Sequence, residues 1–217
     1  MGRLAVGTIL VCALCVAPAA QAGSIVLGDS GWEAIWDSSL DGLVDIQVDV
    51  VTDDAVFIEK SAEFTQGPGP AGFPTIPIVF RQIAFPAVTQ IVINDEIITN
   101  STGVDWTGFN MTLLDSGNAT FNPGLTNASG GGLGFSTSPF VNQAFGDDNT
   151  AFTVDGGVVA AGDIWFPGLT GELYIDVIPQ TEAPFTLFTL KETPTPEPAT
   201  GVVLMLTAAA CIRRRRR

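Results

Sequence analysis

From Leu43 to Val51 the chain reads Leu-Val-Asp-Ile-Gln-Val-Asp-Val-Val, a period of two. Val44, Ile46, Val48 and Val50 fall on one face and Asp45, Gln47 and Asp49 on the other. That is the pattern of an antiparallel strand with one side in a core and the other in water. Further β-rich runs occur at residues 76–85, 89–98, 104–114, 150–154, 171–178 and 184–191. Turn clusters punctuate them, among them Gln66-Gly-Pro-Gly-Pro-Ala-Gly72 and Asn127-Ala-Ser-Gly-Gly-Gly-Leu-Gly134. No long stretch carries a 3.6-residue period. The pattern predicts an all-β chain, a single antiparallel β-sandwich of jelly-roll or immunoglobulin-like kind.

Composition narrows the chemistry available to such a sandwich. The 217 residues include no histidine, which removes Ser-His-Asp and Cys-His triads and imidazole metal sites. Of nine basic residues, Arg3 and the five that end the chain lie at the termini, leaving Lys60, Arg81 and Lys191 in the body. Between Gly23 and Pro196 these three bases face 22 acids, so a phosphate backbone would be repelled and nucleic acid is excluded as a partner.

The first 22 residues carry one charge, Arg3, then an apolar stretch from Leu4 to Ala17, then Ala20-Gln21-Ala22. This is the layout of a secretory signal peptide with an A-x-A site, cut between Ala22 and Gly23. Cys12 and Cys15 leave with it and Cys211 lies in the C-terminal apolar run, so the exported body contains no cysteine. It must be stable without disulfides or thiolate metal sites.

The other end reads Thr193-Pro-Thr-Pro-Glu-Pro198, an apolar run from Ala199 to Ile212, and five arginines, Arg213, Arg214, Arg215, Arg216 and Arg217. The prolines favour an extended polyproline spacer. The apolar run gives about 21 Å of helix against roughly 30 Å of hydrocarbon, a marginal span, and the arginines would stay cytoplasmic as a stop-transfer cluster. A short, weakly apolar segment of this kind suits a transient signal better than a permanent anchor.

Pro196-Glu197-Pro198, the apolar run and the arginine cluster, in that order, closely resemble the PEP-CTERM sorting signal of Gram-negative bacteria. The resemblance covers the last two dozen residues. It implies recognition of Pro196, Glu197 and Pro198 by an exosortase, a membrane-embedded cysteine protease. It also implies removal of the tail at the inner membrane, and delivery to the cell surface or an exopolysaccharide matrix. The apolar run is shorter and less leucine-rich than that family's pattern. The segment Val104-Asp-Trp-Thr-Gly-Phe-Asn-Met-Thr-Leu113 also looks like a strand pair of PEP-CTERM ectodomains, with Trp106 and Phe109 read as core.

Candidate sites in the body are few. Asp37, Ser39, Asp41 and Asp45, with Gly42 between, set oxygens at positions 1, 3, 5 and 9 of a calcium loop, but Val48 stands where the closing acid belongs. A hairpin turn on Asp41-Gly42 is the competing reading. Trp165, flanked by glycines and a proline in Gly162-Asp-Ile-Trp-Phe-Pro-Gly168, is the candidate platform for stacking a sugar ring. No acid stands in a recognisable catalytic motif, so no catalytic residue is assigned and no cofactor beyond calcium is considered. The sequence thus divides into a signal peptide (1–22), a β-sandwich ectodomain (23–192), a proline-rich spacer (193–198) and a sorting segment (199–217). The functional expectation is an exported, non-enzymatic surface or matrix protein associated with exopolysaccharide. The alternative is a carbohydrate-binding module, with or without calcium.

Overall fold

The computed structural model describes residues 23–196, which contain thirteen strands and one short α-helix. The signal peptide, Glu197, Pro198 and the sorting segment lie outside the described residues. The strands of the first half are β1 (Gly23–Val26), β2 (Trp32–Trp36), β3 (Val44–Val51), β4 (Ala55–Phe64), β5 (Ile76–Gln82) and β6 (Gln90–Asn100). Those of the second half are β7 (Trp106–Leu114), β8 (Ala119–Phe121), β9 (Asn142–Phe145), β10 (Ala151–Val159), β11 (Ile164–Trp165), β12 (Leu173–Val177) and β13 (Leu187–Pro196), with α1 at Pro123–Gly132. They form two sheets, one ordered β1-β2-β5-β13-β7-β10-β9 and the other β3-β4-β6-β12-β8, with β11 added against β6. The protein is an all-β two-sheet sandwich. One pairing departs from the antiparallel rule: β4 and β6 run parallel.

Alternation decides which face of each strand is buried. In β4, Val56, Ile58, Ala62 and Phe64 point into the core. Across from them the other sheet supplies Ile78, Phe80, Phe109, Met111, Phe188 and Leu190. Trp106 and Phe109 are core residues as expected, and Phe64 meets both edge-on at 5.4 and 5.7 Å. Such edge-to-face contacts match the positive ring edge to the negative ring face.

Three expectations are corrected. In β3 a bulge between Val48 and Val50 breaks the strict alternation, so Val44 and Ile46 are buried while Val50 is 44% exposed. Asp41-Gly42 is not a hairpin turn. Gly42, at φ +80°, lets the chain pass from β2 in one sheet to β3 in the other, and β3 pairs instead with β4 through the Thr52–Ala55 turn. Residues 193–196 are not a spacer. They continue β13, with Pro194 opposite Phe109 and Pro196 opposite Trp106. Proline is tolerated there because the β5 ladder on the other side of β13 has ended at Glu192, leaving that edge with no partner that needs an N–H.

Candidate functional site

The three acids of the proposed calcium loop are each engaged locally. Asp37 caps the 3-10 turn Ser38–Leu40 by accepting the Ser39 backbone N–H at 2.8 Å, and its hydrogen bonds to Ser39 hold its pKa below the ordinary value. Asp41 accepts the Trp36 indole N–H at 3.1 Å, and Asp45, on the solvent face of β3, accepts from the Gln47 amide at 2.9 Å. Among the described residues no three acidic, imidazole or thiol side chains group as a metal site.

Trp165 does not offer the flat exposed face that sugar stacking needs. It pairs with Ile98 at the end of the second sheet and is 2% exposed, its ring edge-on to Phe109 at 5.1 Å and to Phe140 at 5.0 Å. A groove lined by Ser136, Pro139, Phe166 and Leu169 passes over its edge. The flanking glycine and proline residues suggested a loop. The indole instead turns inward, because burying it removes a large apolar surface from water.

The constellation that sequence reasoning missed lies in the middle of the sandwich. Lys60 on β4 and Glu96 on β6 are register partners in the parallel pair, and both side chains point inward. Glu192 on β13 reaches them from the opposite sheet. Lys60 Nζ contacts Glu96 Oε1 and lies 2.7 Å from Glu192 Oε1, and all three side chains have zero solvent exposure. Apart from these ion-pair contacts, no hydrogen bond from the described residues reaches either oxygen of Glu96 or Glu192.

Burial governs the protonation of this cluster. It opposes charge on Lys60, but the Glu192 and Glu96 carboxyl groups outweigh it and hold the ammonium above its ordinary pKa. Burial pushes Glu96 up to about 8, against the pull of Lys60, and the neighbouring Glu192 pushes the same way. At neutral pH Glu96 is therefore a neutral acid beside the Lys60 ammonium. While Glu96 is free to titrate, the unfolded chain holds fewer protons than the folded one between the ordinary 4.5 and about 8. Its contribution to stability is fully present below the lower value and is lost as pH rises through the upper one. Melting temperatures measured across this window are expected to fall with rising pH, and Glu96→Gln is expected to flatten the slope.

The other two bases of the body sit on the seven-stranded sheet. Arg81 pairs with Glu33, its register partner on β2, and Lys191 lies on β13. The outer surface is thus strongly acidic, and the fold and cluster together define a two-sheet β-sandwich with a sealed charged core. No protein-family model, curated protein or solved structure matches the chain.

Proposed function

We propose that this chain is an exported, non-enzymatic surface or matrix protein, in which the sandwich is the delivered module and the C-terminal segment is its sorting signal. The observation that carries this reading is the path of β13. That strand is held between β5 and β7 as far as Glu192 and continues beside β7 through Pro196, the first residue of the Pro-Glu-Pro triplet. The Thr107 hydroxyl donates to the Pro196 carbonyl at 3.1 Å, so the domain is ordered up to the triplet itself. The high acid content supports a module that stays soluble and resists self-association at a surface. The partners are an exosortase-type protease, the inner membrane in passing, and exopolysaccharide.

Mass analysis of the C-terminal peptide tests this, on protein recovered from the cells that make it and from the matrix they shed. An end at Pro196 to Pro198, with or without an attached group, is the expected result. A peptide retaining Arg217 in the mature protein would overturn the reading and make the tail a membrane anchor.

A further inference from the structure

Lys60, Glu96 and Glu192 are an unusual thing for a core to keep. A buried ion pair retained for structure recovers its desolvation cost only when further hydrogen bonds satisfy the remaining lone pairs. Here the carboxyl oxygens meet the amine and each other, and no hydrogen bond from any other described residue reaches them. The backbone register holds the amine in place. Lys60 and Glu96 are opposed on adjacent strands, so Nζ rests against Oε1, one bond from the electrophilic Cδ. Glu192, from the other sheet, touches the same nitrogen from a second direction.

We propose that Lys60 and Glu96 condense to an intramolecular amide joining β4 to β6, with Glu192 as the proton carrier. In the first step the Glu192 carboxylate takes one proton from the Lys60 ammonium and leaves a neutral amine. The nitrogen lone pair then attacks Cδ of the protonated Glu96 side chain, forming the C–N bond and a tetrahedral centre. Glu192 passes its proton to the departing hydroxyl, the C–O bond breaks and water leaves. The second proton shed by the nitrogen returns to Glu192. The products are one amide, one water and a neutral Glu192, with no change in total charge and no oxidant or activating group needed.

The raised pKa of the Lys60 ammonium opposes the first step, and three features of the site work the other way. The reacting groups are preassembled by folding, which replaces a bimolecular encounter by an intramolecular one. A carboxylate anion would resist attack, but burial keeps Glu96 protonated at neutral pH. Condensation also exchanges a buried ammonium–carboxylate pair for neutral groups, removing the desolvation cost. The link closes the chain between positions 60 and 96, which restricts the unfolded ensemble as a disulfide would, in a body that has no cysteine to do so. The inference does not depend on export or sorting.

Peptide mapping of the purified full-length protein, folded and then denatured and digested with trypsin, tests it without reference to the ends of the chain. Acylation of Lys60 blocks cleavage there. The expected product is the segment ending at Arg81 joined to residues 82–191, lighter than the two peptides together by one water. Free peptides ending at Lys60 and beginning at Ser61, from protein shown to be folded by its tryptophan emission, would overturn the proposal. A link from Lys60 to the peptide beginning at Glu192 would overturn the assignment of Glu96 as acyl donor. Glu192→Gln keeps the shape of the carrier but cannot take a proton. It is expected to fold, retain tryptic cleavage at Lys60 and keep the full mass; a cross-linked Glu192→Gln variant would overturn the role given to Glu192. In the closed form Glu96 no longer titrates, so the pH slope described above is expected to disappear together with the cleavage.

Discussion

Replacing Lys60 by methionine is expected to destabilise the sandwich by about 3–5 kcal/mol, the range found when one partner of a buried ion pair is removed. The side chains are close in volume, so the loss is electrostatic. Glu96 and Glu192 remain buried against each other with no cation, and no hydrogen bond from any other described residue reaches them. For a domain of this size that corresponds to a fall in Tm on the order of 10 °C. That figure applies to the open form; where the Lys60–Glu96 amide has closed there is no ion pair to break, and the variant loses the cross-link instead. Combining Lys60→Met with Glu96→Leu and Glu192→Leu is expected to recover most of the ion-pair part, since apolar side chains of similar volume replace a buried charge network at little or no cost. Thermal unfolding followed by tryptophan emission reads both effects. A single variant as stable as the parent would mean that the three side chains do not form the sealed cluster described.

Trp165→Ala is expected to cost about 3–5 kcal/mol, the usual range for deleting a large buried aromatic. The cavity would open between Phe109 and Phe140, whose rings lie 5.1 and 5.0 Å from the indole. Trp165→Phe is expected to cost much less. It keeps most of the apolar contact and removes an indole N–H that has no hydrogen-bond partner among the described residues. Urea unfolding of the two variants measures the difference. A sugar-stacking platform predicts the reverse: an alanine variant of unchanged stability that has lost oligosaccharide binding. The burial of Trp165 weighs against that outcome, and with it against the carbohydrate-binding alternative as assigned to this residue.

Both effects arise at positions whose role the one-dimensional pattern conceals. Strand β4 reads Ala-Val-Phe-Ile-Glu-Lys-Ser-Ala-Glu-Phe, and its inward series is Val56, Ile58, Lys60, Ala62 and Phe64. A lysine in the middle of that series interrupts the apolar alternation, so the strand that carries the cluster is the one the pattern does not announce. Glu96 and Glu192 are hidden for the same reason. A usable signal was present in retrospect: with only three bases among 22 acids, each base of the body is a candidate for a specific partner. In the calcium-loop pattern the opposite holds. Its oxygens are spaced correctly along the chain, but Asp37 is taken by a turn N–H while Asp45 belongs to a strand and faces away.

The sequence by itself determined the all-β class, the inward face of β3 as far as Ile46, the core roles of Trp106 and Phe109, and the absence of histidine and of cysteine chemistry in the body. Each of these follows from local periodicity or from composition, which need no knowledge of what packs against what. Only the tertiary structure decided the parallel pairing of β4 with β6, the inward turn of Trp165, the run of β13 up to Pro196 and the meeting of Lys60 with Glu96 and Glu192. Strand order and register are set by the summed burial of two whole sheets, and the charge on an isolated side chain does not reveal whether it will face water or another charge across the core.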